Sequence, residues 1–305
     1  MANARVGYLG PEGSFSHEAV LTLADAQPVA YASLEDLLGA VADASLGQGL
    51  VPLENALEGT VSATIDGLVF NHELVILQEI VLPIHLHLLA RPGVTLDEIT
   101  SVRSYVHALA QVRTFLHERR LATEQTTSTS QAARDVAGSS EPWGAVGSSL
   151  AATLFGLEVL AADIEDHPEN ATRFVVVGRE AVAAPTGHDR TTIVCFQDAD
   201  RPGSLYGILG RFAARDINLT KLESRPTKRG LGDYCFVIEF EGHVVDEVVA
   251  DCLTDLQAHL ARVKFLGSYP VTGEGSSDRR EEVARARQSA ATWIKAIRAR
   301  VRPTS

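Results

Sequence analysis

Short apolar runs alternate along the first half of the chain with stretches whose apolar residues recur every three or four positions, the patterns of strand and helix. Arg5 to Leu9 predicts a strand, and Phe15 to Ala24, preceded by Ser14, a helix. Val29 to Ala32 reads as a short strand. Leu34 to Ala44 reads as a helix after a Ser33 cap with Asp36 three residues on, a capping-box variant. Gly49 to Leu53 follows as a strand and Val61 to Phe70 as a helix. This alternation predicts an α/β fold with largely parallel sheets.

Leu74 to Arg91 is long, apolar and β-branched, and around its middle the chain is expected to cross into a second lobe. Val102 to Ser104, Gln125 to Thr127 and Gly144 to Gly147 are the short strands of that lobe. Helices at about Ala108 to Arg119, Ser130 to Ala137 and Ser149 to Phe155 cover them, and Phe174 to Gly178 returns to the first lobe. Two lobes with a cleft between them form a natural pocket. From Ala181 to Asp189 the chain turns small and loop-like, the expected domain boundary. The pattern beyond it is βαββαβ: strand Thr191 to Phe196, helix Gly203 to Ala214, strands Leu219 to Glu223 and Tyr234 to Phe240, helix Asp246 to Ala261, and strand Val263 to Leu266. Val248, Val249, Cys252, Leu253, Leu256 and Leu260 stripe the second helix and read as core.

The 305 residues suffice for about two domains. No apolar run reaches the ~20 residues of a membrane span. The first ten residues lack the basic start, apolar middle and cleavage site of a signal peptide, so a cytoplasmic protein is expected. Cys195, Cys235 and Cys252 have no metal-site spacing and read as buried thiols. Net charge is −12, against nucleic-acid binding. Residues 273–305 hold eight Lys/Arg and four Asp/Glu, a net of +4, which leaves −16 on residues 1–272. That tail is Gly/Ser-rich and then basic. Glu281 to Arg300 has helical character, and a mobile tail and a partner-contacting helix fit it equally. His85 and His87 share a strand face, and His167 lies near Asp163, Glu165 and Asp166, but neither group completes a ligand set. No metal and no redox cofactor are expected.

Several motifs occur in one family's order. They are Gly10-Pro11-Glu12-Gly13-Ser14-Phe15-Ser16, Val51-Pro52-Leu53-Glu54-Asn55, Gly59-Thr60-Val61, Thr64-Ile65-Asp66-Gly67-Leu68, Gly147-Ser148-Ser149-Leu150-Ala151-Ala152 and Asn170-Ala171-Thr172-Arg173-Phe174. Together they resemble the prephenate dehydratases. Asp200-Arg201-Pro202-Gly203-Ser204-Leu205 and Glu223-Ser224-Arg225-Pro226 resemble the ACT regulatory domain of the same family. The likeness spans roughly residues 4 to 270. Where members often have Ser-His-Pro, this chain has Ser104-Tyr105-Val106, with Ala108-Leu109-Ala110-Gln111 retained. No N-terminal helical domain precedes the first motif, so a fused chorismate mutase is not expected.

The resemblance implies a two-lobed catalytic domain like the type II periplasmic binding proteins over 1–183, with lobes of about 1–78 with 160–183 and 79–159. A ferredoxin-like ACT domain over 189–270 and a basic tail over 271–305 follow. It implies the conversion of prephenate to phenylpyruvate, with Thr172 donating the proton to the leaving hydroxyl and Asn55 and Gln111 beside it. Asn55 follows a buried strand, where an amide faces the cleft, although a turn-forming Asn fits the same position. Thr60 is expected to begin a helix, and Ser14, Phe15, Ser16 and Ser149 to sit at helix starts, where free N–H groups favour an anion. Glu54 takes a structural or orienting role and Phe174 joins the substrate set. Arg173 is either a counter-ion for a carboxylate or half of a structural ion pair. Gly203, Ser204, Leu205, Glu223, Ser224, Arg225 and Pro226 are expected to bind L-phenylalanine as effector. ACT domains pair, which implies a homo-oligomer, with a dimer of dimers expected. Two other readings stand beside this one. One is a ligand-responsive binding protein without catalysis. The other is an arogenate dehydratase, the same elimination on the amino-acid analogue.

Overall fold

The computed structural model describes residues 4–179, 182–197, 201–228, 230, 233–272, 289 and 292–300. Residues 1–181 and 182–305 form two compact units.

The first unit holds two sheets. One contains β1 (Ala4–Leu9), β2 (Ala26–Tyr31), β3 (Gln48–Asn55), β4 (Gly59–Thr60), β5 (Val75–Pro83) and a strand from much later in the chain, Ala171–Gly178. The order is β2-β1-β3, then Ala171–Gly178, then β5, with β4 extending the sheet beside the end of β3. The second contains β6 (His87–Ala90), β7 (Ser101–Ser104), β8 (Thr123–Gln125), β9 (Trp143–Gly147) and β10 (Glu158–Ala161) in the order β10-β6-β9-β7-β8. The strand Ala171–Gly178 is therefore β11. The chain passes from the first lobe to the second between β5 and β6 and returns between β10 and β11. This is the two-lobed, periplasmic-binding-protein-like architecture expected.

The sheets are mixed, which corrects the largely parallel expectation. β1 pairs with β2 and β3 in parallel, but β11 runs antiparallel to both β3 and β5. In the second sheet β7 is parallel to β8 and β9, while β6 is antiparallel to β9 and β10. No helix separates β5 from β6, so the returning strand enters the first sheet head-on. β4 and β10 lay too short in the sequence for a period of two to register.

Local chemistry sets the helices. Ser33 caps α2 (Leu34–Ala42): its Oγ accepts the Asp36 N–H at 3.0 Å and donates to Asp36 Oδ2 at 2.7 Å. Leu37, Leu38 and Val41 of α2 are fully buried. A Cβ on Gly7 would collide with Leu37 Cδ1, so α2 reaches β1 because residue 7 has no side chain. The helix expected over 108–119 is two, α4 (Val106–Ala110) and α5 (Arg113–Glu118). The returning segment breaks it: the Asp166 N–H donates to Gln111 O at 2.7 Å, and the Asp166 carboxylate accepts the Thr114 N–H at 3.2 Å. The two crossing segments also pair, Ile84 N–H to Asn170 O at 2.9 Å and Ile164 N–H to Leu86 O at 2.8 Å. One apolar core runs through the unit, with Tyr8, Leu50 and Phe174 at one end and Leu88, Val102 and Val146 at the other.

The second unit is βαββαβ. Strands β12 (Asp189–Phe196), β13 (Leu219–Pro226), β14 (Tyr234–Glu241) and β15 (Arg262–Pro270) form an antiparallel sheet in the order β13-β14-β12-β15. Ile208 and Phe212 from the helix Ser204–Ala213 pack with Val249, Cys252 and Leu256 from the helix Glu247–His259 against Ile193, Ile238 and Phe240. Val248, Leu253 and Leu260 pack half-buried on that core, so all six stripe residues serve it. The three cysteines are free and buried; burial raises the Cys195 thiol to about 12 and the Cys252 thiol to about 11. Residues 273–288 of the tail lie outside the described residues, and 292–298 are helical. Among the described residues no helix is long and apolar enough to cross a membrane.

Candidate active site

β3 ends at Asn55, and β11 places Thr172 opposite it in register. Asn55 Oδ1 accepts the N–H groups of Leu57 and Glu58 at 2.9 and 3.0 Å. A backbone N–H can only donate, so the other end of this amide is its NH2. Nδ2 donates to Asn170 Oδ1 and to Thr172 Oγ1, each at 3.0 Å, and lies 3.3 Å from Ala171 O. Asn170, 2 % exposed, then has its own NH2 directed at Gln111 Oε1, 3.0 Å away. The polarity runs on to Gln111, whose Nε2 is left as a donor. Thr172 Oγ1 accepts a hydrogen bond from Asn55, so its hydroxyl hydrogen can be donated elsewhere. Asn55 thus forms a turn with its oxygen and holds Asn170 and Thr172 with its NH2 group.

The fold brings Thr172, Asn55 and Gln111 together from three elements, β11, β3 and the C-terminal end of α4. Asn170 joins them, a residue not singled out in the sequence although it lies two before Thr172.

Arg173 follows Thr172 in a strand and therefore faces the other side of β11. There its guanidinium lies 2.8 Å from Glu54 and 3.3 Å from the buried Glu79. Of the two readings of Arg173, this geometry is that of the structural ion pair. Glu54 lies in the same cluster. Thr60 does not begin a helix. It pairs with Glu54 in β4, and α3 (Ser62–Asp66) starts two residues later. Phe174 is 2 % exposed and belongs to the core.

Ser14 caps α1 (Phe15–Leu21), accepting the His17 N–H at 3.2 Å. Phe15 packs on the core and Ser16 is half-buried. Ser149 opens α7 (Ser149–Phe155), whose cap is Ser148. Ser148 Oγ donates to Gly13 O at 3.3 Å, and Ser130 Oγ, in α6 (Thr129–Gly138), donates to Glu12 O. The loop before α1 in one lobe thereby touches two helix starts of the other. No described contact links these serines directly to Thr172. His17 Nδ1 accepts the Gly13 N–H at 3.1 Å, and the ring stacks on Tyr8 with centroids 4.9 Å apart. Burial holds this imidazole below its ordinary pKa, against the opposing pull of Glu12.

Ser104 is fully buried and donates to Val146 O at 2.7 Å. Tyr105, where the family often has His, is 41 % exposed with its ring 5.2 Å from His107. His107 Nδ1 lies 3.1 Å from Glu58 on the β3–β4 turn, a second contact between the lobes.

In the second unit, Gly203 has φ of +87° and precedes the helix Ser204–Ala213 with no side-chain cap bond. Leu205 is the second residue of that helix. Glu223, Ser224, Arg225 and Pro226 end β13, the edge strand of the sheet, with Arg225 3.3 Å from Glu223.

Comparison with known proteins puts this geometry in context. The model of the prephenate dehydratase family matches residues 6–182, and that of the ACT domain matches residues 191–257. A prephenate dehydratase of Mycolicibacterium vanbaalenii is 38% identical over 288 residues, covering 88% of this chain and 91% of that one. A solved prephenate dehydratase of Arthrobacter aurescens in complex with L-Phe is 36% identical, with a TM-score of 0.86 over 96% of this chain and 99% of the other. A structure described as a novel type of quorum quenching acylase is 29% identical, with a TM-score of 0.81 over 88% of this chain and 98% of its own.

Proposed function

The chain belongs to the prephenate dehydratase family, hydro-lyases that form phenylpyruvate, and from that membership we propose that Thr172 is its proton donor and L-phenylalanine its feedback effector. The observation that carries the first part is the one-way chain of hydrogen bonds from Leu57 and Glu58 through Asn55 to Thr172.

Loss of carbon dioxide leaves an electron pair that enters the ring. The bond to the ring hydroxyl breaks, and the departing oxygen takes a proton to leave as water. Aromatisation supplies much of the driving force. The protein must stabilise the leaving oxygen and hold the two carboxylates. Thr172 gives its proton to that oxygen, and Asn55 Nδ2 stabilises the charge left on Oγ1. Threonine is a weak acid, so this pre-aligned donor matters. Gln111 Nε2 donates to a carboxylate, its orientation fixed by Asn170. Ser14, Ser16 and Ser149, at the starts of α1 and α7, hold the rest of the substrate. Arg173 and Glu54 brace β11 from behind.

Effector control rests on the second unit. The start of the helix Ser204–Ala213 receives an amino-acid carboxylate on the Leu205 N–H, the Ser204 N–H being held by the Arg201 carbonyl at 3.0 Å, and Glu223 to Pro226 complete the site on the edge strand. A second copy adding to that edge makes a dimer, and pairing of dimers a tetramer. The complex of the Arthrobacter relative with L-Phe supports this effector.

The test incubates purified protein with prephenate and follows phenylpyruvate, with and without phenylalanine. Turnover suppressed by phenylalanine is expected. Thr172→Ala should lower kcat by about 100-fold or more, the usual contribution of a positioned acid, with the melting temperature kept. A near-normal kcat in that variant overturns the assignment. Turnover with arogenate alone makes the enzyme the arogenate form.

A further inference from the structure

Two half-sets of donor atoms, each incomplete in the sequence, meet where the chain crosses between the lobes. His85 and His87 alternate along the outgoing segment, Asp163 and Glu165 along the returning one. His85 Nδ1 lies 3.0 Å from Glu165 Oε1 and 3.5 Å from Asp163 Oδ1. The three donor atoms lie within 4.8 Å of one another. Ligands about 2.0–2.1 Å from a tetrahedral ion stand roughly 3.3–3.4 Å apart, so both measured edges match those of a ligand shell.

Neighbouring contacts aim these atoms. Glu165 Oε2 accepts the Leu86 N–H at 2.9 Å, which leaves Oε1 toward His85. The Asp163 N–H donates to His87 Nδ1 at 3.1 Å, which anchors Asp163 beside the imidazole. The Glu165 side chain is 2% exposed, against 50% for His85 and 65% for Asp163, so the group has a fixed floor and an open side for an ion and its water.

We infer that His85, Asp163 and Glu165 bind a divalent transition-metal ion. One imidazole nitrogen with two carboxylate oxygens suits zinc better than magnesium or calcium, which favour all-oxygen shells. The group is separate from Thr172 and its partners. Its ligands come from both crossing segments, so an ion ties the two together.

Calorimetric titration of zinc into the full-length protein tests this, with melting temperature followed in zinc and in EDTA. The expected result is one ion per chain and a higher melting temperature in zinc. His85→Ala and Asp163→Asn should each weaken binding at least tenfold while melting normally in EDTA. His117→Ala, on the exposed face of α5, should leave binding unchanged. No saturable heat with micromolar zinc, or affinity unchanged in both ligand variants, overturns the inference.

Discussion

Between Asn55 and Gln111 the direction of every amide follows from two backbone N–H groups, and a single buried residue, Asn170, relays it. The sequence displays Thr172, Asn55 and Asn170 within motifs, but an asparagine buried for its hydrogen bonds looks the same on paper as one in a loop, so Asn170 gave no sign of its relay. Arg173 shows the converse. Beside Thr172 it reads as a counter-ion, until strand alternation puts it on the other face with two carboxylates. His17 carries a prediction at this scale. Burial lowers its pKa, so the folded state binds that proton less readily than the unfolded chain. Its contribution to stability is complete above the unfolded value of about 6.5 and is lost as pH falls through the lower folded value. Protonation also removes Nδ1 as acceptor for the Gly13 N–H. The melting temperature should drop further between pH 7 and pH 5 in the wild type than in His17→Asn, which keeps an acceptor but does not titrate.

Helix starts and strand periods were legible where a cap or an alternating run announced them, as at Ser14, Ser33 and the stripe of the helix Glu247–His259. What misled was contact from far along the chain. Asp166 splits one expected helix into α4 and α5, and Glu54 draws Thr60 into a strand. Gly13 tests how closely the loop before α1 must approach its partners. Its φ is +81°, and a Cβ there would sit 3.2 Å from Ser130 Oγ and 3.4 Å from the Ala151 backbone. Gly13→Ala should cost about 1–3 kcal/mol by denaturant unfolding, with a higher KM as the seam between the lobes loosens. Unchanged stability would mean that the loop has room to shift.

For the whole molecule, motif order supplied both units and their sequence, since most of the motifs fall at a strand end or helix start, Thr64 to Leu68 within a helix being the exception. Sheet direction was out of reach, because it depends on where β11 inserts. If effector binding lies at the end of β13, Glu223→Ala should raise the phenylalanine concentration for half-inhibition at least tenfold and leave kcat with prephenate unchanged. Steady-state assays over a phenylalanine series decide this, and an unaltered inhibition curve would move the effector elsewhere.

The position of β11 between β3 and β5 bears on how the chain is made. On the ribosome, β3 and β5 emerge early, yet the strand that separates them begins only at Ala171, after everything from Ile84 to Asn170. At about 5–20 residues per second that interval lasts roughly 4–18 s. Through it the nascent first lobe presents two apolar strand borders with nothing between them, open to pairing with neighbouring chains on a polysome. The second lobe has all its strands by Ala161 and matures first, so the later-made half of this unit becomes the template on which the earlier-made half is finished.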